Sequence, residues 1–212
     1  MKIKIPLIVA LVFAVRIGVS QGFVNLNFEA AKNLGVPGSF TQLSATNAFP
    51  GWTVSAYYIL YDDVSLSGYD VSIIDTNTPY YTTPIQGKYY AMLIPVNLPG
   101  YGYYTSIGQT GQIPLSAESI SFWGNIGSIQ ITFNGQPLSF VITDTTPNYF
   151  IYGADISAYA GQTGQLLFSV PPQSSGGILD NIQFSSTPVP EPGTFGLFAM
   201  GGALLAWRRL KL

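Results

Sequence analysis

Hydrophobic and polar residues alternate with a period of two in short runs, and no stretch of ten or more residues between positions 22 and 187 keeps a helical period. The clearest run is Ser128-Ile129-Gln130-Ile131-Thr132-Phe133, followed by Asn134-Gly135 and a second run over 136–142. Asn-Gly between two alternating runs predicts a hairpin with a type I′ turn, because both central residues need positive φ and these two tolerate it. Pro137 has no N–H to donate, so its strand is expected to start late or to lie at a sheet edge. Further strands are predicted at 23–28, 52–60, 69–74, 89–94, 104–113, 119–123, 149–152, 165–170 and 178–184. About ten short strands divided by Gly, Pro, Asn and Ser predict an all-β domain of two antiparallel sheets packed as a β-sandwich. Trp52 and Trp123 fall inside strand patterns and are assigned to the core.

Between the runs lie polar or aromatic connections. Residues 33–50 read as a long loop, with Pro37-Gly38 and Pro50-Gly51 inside it. Tyr80-Tyr81 and the segment 95–104, which holds Tyr101, Tyr103 and Tyr104, read as aromatic-rich loops. Long loops in compact domains often carry function. Sugars offer apolar C–H faces that stack on aromatic rings and hydroxyls that bond to Asp, Asn and Gln. Tyr80, Tyr81, Tyr101, Tyr103 and Tyr104 are therefore the candidate glycan-binding residues, with Tyr57, Tyr58 and Tyr61 also beside loops.

The two ends differ from this core. Lys2 and Lys4 precede an apolar stretch over 5–15, and small residues at 18–20 or 20–22 offer a cleavage site, which together read as a secretory signal peptide over 1–21. Arg16 between these parts leaves the cut uncertain by a few residues. At the other end Pro190-Glu191-Pro192 precedes an apolar segment over 194–207 and then Trp207-Arg208-Arg209. A helix over that segment is about 21 Å long, short of the roughly 30 Å hydrocarbon core and thus a poor permanent anchor. Basic residues directly after it are expected to stay cytoplasmic, which leaves the rest of the chain outside the inner membrane. The organisation expected is a signal peptide (1–21), one β-sandwich domain (22–187) and a C-terminal segment (188–212).

Composition removes much chemistry. The chain has no cysteine and no histidine, so disulfides, thiolate nucleophiles, Ser-His-Asp triads, histidine bases and the usual zinc or iron ligand sets are absent as written. Between 22 and 187 the cations are Lys32 and Lys88, against Glu29, Asp62, Asp63, Asp70, Asp75, Glu118, Asp144, Asp155 and Asp180. Two lysines against nine acids leave a net charge of −7, which repels phosphate backbones and argues against nucleic-acid binding. Enzymatic function would have to use paired carboxylates, as a glycosidase does, with Asp62-Asp63 and one of Asp70, Asp75 or Asp144 as the pair. Nine scattered acids are expected in an acidic protein, and the domain is read as non-catalytic.

One acid stands out. Alternation through 178–184 puts Ile178, Asp180, Ile182 and Phe184 on one strand face, so a carboxylate shares a side with apolar residues. Burying an unpaired charge is strongly unfavourable. Two partners remain open: a hard cation such as calcium held by Asp180, Glu29 and backbone carbonyls, with Glu29 acting from a strand end, or hydrogen bonds donated by the backbone.

The order Pro190-Glu191-Pro192, short Gly-rich apolar segment, Trp207-Arg208-Arg209 resembles the PEP-CTERM signal of Gram-negative bacteria. That resemblance implies cutting near the Pro-Glu-Pro by an exosortase-type membrane peptidase, after transient residence in the inner membrane, and delivery to the cell surface or exopolysaccharide matrix. An uncut tail anchor is the alternative. A second resemblance rests on Asn27-Phe28-Glu29, Pro50-Gly51-Trp52, Gln86-Gly87-Lys88-Tyr89-Tyr90, Ser106-Ile107-Gly108-Gln109-Thr110, the segment 154–162 and Leu179-Asp180-Asn181-Ile182, taken in order. Together they are similar to galactose-binding-like jelly rolls, which include carbohydrate-binding modules. It implies first and last strands side by side near a structural calcium, and an extracellular polysaccharide as partner.

Overall fold

In the computed structural model the described residues are 22–38, 41–63, 68–77 and 85–189. They form twelve strands, one four-residue helix and one 3-10 turn. One sheet has the order β1-β5-β11-β7-β8, built from β1 (Thr53–Ser55), β5 (Thr105–Gln112), β11 (Thr163–Val170), β7 (Gln130–Phe133) and β8 (Gln136–Pro137). The other has the order β2-β3-β4-β12-β6-β10-β9, built from β2 (Tyr58–Tyr61), β3 (Asp70–Asp75), β4 (Tyr89–Ile94), β12 (Gly177–Ser185), β6 (Ser119–Asn125), β10 (Phe150–Asp155) and β9 (Phe140–Thr145). Both sheets feed one core. Leu93, Ile120, Phe122 and Leu179 come from the larger sheet and Ile107, Ile131, Phe133 and Phe168 from the smaller, as in a β-sandwich. Fully burying each such side chain contributes about 1.5–3 kcal/mol, which makes this apolar layer the dominant stabilising term in a disulfide-free domain.

Asn134 and Gly135 have φ of 49° and 75°, as the hairpin requires. Pro137 ends the short β8 at the sheet edge, and the chain then leaves for β9 at the edge of the other sheet. The single predicted run 136–142 is therefore two strands. The run 52–60 divides in the same way: β1 joins the smaller sheet and β2 the larger. Period-two alternation reports which side is buried, and it is blind to a change of sheet. Trp52 is buried between the sheets, its ring 5.5 Å from Phe28 and 6.2 Å from Phe168, while its indole N–H donates to the Asn25 carbonyl. Trp123 belongs to a smaller apolar cluster and stacks on Tyr149.

Three expectations are corrected. The sheets are not wholly antiparallel, because β2 and β3 run parallel, with Tyr58 opposite Asp70. Residues 23–28 form no strand: Asn25 and Phe28 lie at φ of 50° and 58°, which breaks an extended chain into turns. The segment is held instead by a side chain acting as a strand partner. Gln109 Oε1 accepts from the Val24 N–H, and Gln109 Nε2 donates to the Val24 carbonyl. The last strand does pass beside it, since Ile182 N–H donates to the Leu26 carbonyl. Finally, alternation in β12 fails at a bulge between Asp180 and Gln183, where Asn181 has φ of 46°. Ile178 therefore packs in the smaller cluster while Ile182 joins the main core. The described residues of the 33–50 connection form a loop carrying the helix α1 (Ala45–Ala48).

After β12 the chain stays on the body of the domain. Ser119 Oγ donates to the Thr187 carbonyl at 2.6 Å, and a Cβ placed on Gly153 would lie 3.1 Å from Val189 Cγ2. The signal peptide, the Pro190-Glu191-Pro192 motif, the apolar segment and Trp207, Arg208 and Arg209 lie outside the described residues.

Candidate functional site

Beside the β2–β3 end of the larger sheet lies a cleft of about 480 Å³, lined by Tyr57, Gly68, Tyr69, Val96, Leu98, Tyr101 and Tyr103. That volume falls within the 300–1,000 Å³ of small-molecule sites. Each wall has a local cause. Gly68 and Tyr69 enter β3 with φ of 89° and 71°. A Cβ on Gly68 would sit 2.3 Å from the Pro95 carbonyl oxygen, so only glycine fits there. Tyr69 is a bulky residue in the left-handed region, a strained state that the surrounding structure must enforce. It is pinned by the Tyr57 N–H, which donates to the Tyr69 carbonyl at 2.7 Å. The opposite wall comes from 96–103, where the Pro99-Gly100 turn bends the chain and the Tyr101 N–H donates to the Leu98 carbonyl.

The rings form a tiled surface. Tyr69 and Tyr103 lie 5.6 Å apart with 28° between their planes, and Tyr101 continues the row 6.1 Å from Tyr103. Tyr57 meets Tyr58 edge-on at 4.5 Å. Tyr57, Tyr101 and Tyr103 are 66%, 51% and 57% exposed, so these rings are presented to solvent and do not fill the core. Among the described residues no charged side chain lines the cleft.

Of the tyrosines expected to bind ligand, Tyr101 and Tyr103 line this cleft. Tyr104 is exposed next to them in sequence but is not part of the lining, and Tyr80 and Tyr81 lie outside the described residues. Tyr69 is the wall that the strand pattern concealed, since it reads as the first residue of a buried run; the glycine before it was the available signal. Asp70 follows it directly and is fully buried. Neither of its carboxylate oxygens has a hydrogen-bond partner of normal geometry, and burial raises its carboxyl to about 6 against the lowering effect of the Tyr58 and Gly68 amides.

Glu29 and Asp180 come together elsewhere, on the segment that leads into β4. Asp180 Oδ2 accepts from the Gln86 N–H at 3.1 Å and Oδ1 from the Asn181 N–H at 2.6 Å. Glu29 Oε1 accepts from the N–H groups of Lys88 and Tyr89 at 2.7 and 2.9 Å. Gly87 makes this approach possible, because a Cβ there would lie 2.3 Å from Glu29 Oε1. Asp180 is fully buried; burial raises its carboxyl to about 8, a rise that the Asn181 and Gln86 amides oppose and the nearby charge of Glu29 reinforces. Gln86 adds a buried side-chain carbonyl oxygen with no hydrogen-bond partner. Among the described residues no three acids cluster as a metal-ligand group. The donors here are two carboxylates and one amide oxygen, all hard ligands of the kind calcium takes.

A third acid-rich region lies along β2 and β3. Asp62, Asp63 and Asp75 are buried there, with the Asp75 N–H donating to Asp62 Oδ1. Burial raises the Asp75 carboxyl, but hydrogen bonds from Asn77 and Tyr61 and the charge of Lys88 outweigh it and leave it below the usual range. Asp144 is remote from these residues in the sheet, on the exposed edge strand β9.

A comparison with curated proteins gives no match. Among solved structures, a carbohydrate-binding module described for specific mannan recognition is similar over 63% of this chain and 87% of its own, at 10% identity and a TM-score of 0.36. Residues 188–210 match the PEP-CTERM protein-sorting motif, and the chain thus carries the C-terminal sorting signal of an exported protein.

Proposed function

We propose that this is a surface or extracellular-matrix protein, released from the inner membrane by an exosortase-type peptidase, whose jelly-roll domain binds polysaccharide without cleaving it. The observation that carries the binding reading is the cleft itself: four tyrosines, of which Tyr57, Tyr101 and Tyr103 are exposed and Tyr69 is half-buried at a strained strand entry, with no carboxylate among the described lining residues. Stacking on sugar C–H faces requires such exposed rings. A glycosidase requires two carboxyl groups across the scissile bond, and the acids nearest in sequence are buried. The test is to immobilise the full chain and pass a panel of neutral, anionic and amine-bearing polysaccharides over it, with product analysis on each binder. Binding that is lost in Tyr103→Ala, with no products formed, supports the reading; released oligosaccharides reverse its non-catalytic part. Sorting is checked separately, by mass spectrometry of surface material, where an intact 207–212 end argues for an uncut anchor.

A second reading is favoured by buried Asp180 beside half-buried Glu29. Asp180 with Glu29 and the orphaned Gln86 amide oxygen would hold a structural calcium ion, whose charge would let Asp180 ionise inside the domain. Its role there would be to fix the turn segment 26–29 to the β4 entry.

A further inference from the structure

The cleft has a charge environment as distinctive as its shape. Its lining supplies four π faces and two aliphatic side chains, and no ammonium or guanidinium. The sequence segments 64–67 and 78–84, outside the described residues, contain no lysine or arginine. Of the domain's two lysines, Lys88 is already engaged, its Nζ 3.4 Å from Asp75 and 4.7 Å from the centre of the Tyr89 ring. Asp70 follows Tyr69 in the chain and is buried with no hydrogen-bond partner of normal geometry for either oxygen. The whole domain carries −7.

This combination favours one class of ligand. An anionic sugar would enter a negative field and find no cation to pair with. A neutral sugar would gain stacking alone. A protonated amine would gain attraction to the negative ring faces, since an ammonium within about 6 Å of a ring centre is drawn to its quadrupole, and would enter a domain of net negative charge. Lys88 over Tyr89 shows the same pairing within this chain. We propose that the cleft is an aromatic cage for amine-bearing sugars, with Tyr57, Tyr69, Tyr101 and Tyr103 as its walls, selecting polysaccharides with free amino groups over neutral and acidic ones. The proposal rests on the reading of the cleft as a glycan site and names its ligand.

The experiment compares three oligomers of equal length on the full chain by calorimetry, below the pKa of the sugar amine: β-1,4-linked glucosamine, its N-acetylated form and a uronic-acid oligomer. The glucosamine oligomer is expected to bind about tenfold more tightly than the acetylated one at low salt, with the margin shrinking as salt is raised, and the uronate not at all. Tyr57→Ala and Tyr103→Ala alter exposed rings and should remove most of that margin. A margin that survives undiminished in both variants assigns the preference to the acidic surface and overturns the cage. Equal or tighter binding of the acetylated oligomer overturns the amine preference while leaving glycan binding intact. Failure of every oligomer and of the wider polysaccharide panel removes the underlying reading itself.

Discussion

The aromatic cleft and the Glu29–Asp180 locus are built from opposite materials. In the cleft, large rings face water with no charge among the described lining residues; at the locus, a fully buried carboxylate and a half-buried one are held by four backbone N–H groups. The first leaves favourable burial unused, and the second bears an unfavourable burial of charge. Exposed rings cost the fold little when removed, because they contribute little to its core, whereas buried carboxylates organise the backbone that holds them. A residue's effect on stability therefore separates the two regions, and a residue's effect on ligand binding separates them in the reverse order.

The largest expected effect falls on the acid locus. Asp180→Ala leaves the Gln86 and Asn181 N–H groups without acceptors, at about 1–3 kcal/mol for each donor, so denaturant unfolding should show a loss of about 2–6 kcal/mol. Gly87→Ala attacks the same place from the backbone: a methyl 2.3 Å from Glu29 Oε1, at a residue with φ of 62°, must expel the Glu29 carboxylate. The comparison breaks if either variant melts like the parent. Glycan binding should survive in whatever fraction of each variant stays folded.

Next comes metal. If calcium occupies the locus, one hundred times its dissociation constant should add about 2.7 kcal/mol to stability, and Asp180→Asn should remove most of that response. A melting temperature indifferent to calcium and to EDTA rejects the site and leaves the backbone N–H groups as the only partners of these carboxylates.

The pH dependence sharpens the same region. Asp180 has its carboxyl raised from 3.8 to about 8, and Asp70 from 3.8 to about 6. Without metal, the folded chain therefore holds protons that the unfolded chain has released. The stability these groups allow is fully present below pH 3.8 and declines as pH rises, through about 6 for Asp70 and about 8 for Asp180. The metal-free melting temperature should fall between pH 5 and 8, and calcium should flatten that fall by favouring the ionised Asp180. A fall that is clearly shallower above pH 6 in Asp180→Asn than in the parent identifies Asp180 as the group responsible; an equal fall in both assigns it elsewhere.

The two regions also differ in how far the sequence announced them. Strand β11 was legible because its alternation largely matches one buried side, β3, β4, β10 and β12 because apolar runs between Gly, Pro, Asn and Ser mark extended segments even where β3 is buried throughout and β12 is bulged, and the Asn134-Gly135 turn because its chemistry is local. The 23–28 segment was not, since the partner of Val24 is the side chain of Gln109, 85 positions away. Asp180 was legible as a buried acid because it interrupts an apolar run, yet the bulge at Asn181 that divides its neighbours between two clusters leaves no mark in the pattern. In the cleft, Tyr101 and Tyr103 were legible from their Pro/Gly-rich loop, while Tyr69 was hidden by the buried residues that follow it.

The smallest expected effect on stability is at Tyr69, and it is the sharpest test of what the cleft is for. Replacing it with glycine relieves a strained φ of 71°, a gain of order 1 kcal/mol or more. The same change removes a ring stacked 5.6 Å from Tyr103, a pairing that contributes about 0.5–1.5 kcal/mol. The two nearly cancel, so Tyr69→Gly should melt within a few degrees of the parent while losing most glycan affinity. A strained tyrosine kept where glycine would fold equally well is held there for its ring. Should Tyr69→Gly bind the polysaccharide panel as the parent does, the ring has no ligand to serve and the cleft loses its strongest claim to function; should it unfold, Tyr69 belongs with Asp180 among the residues that hold the domain together.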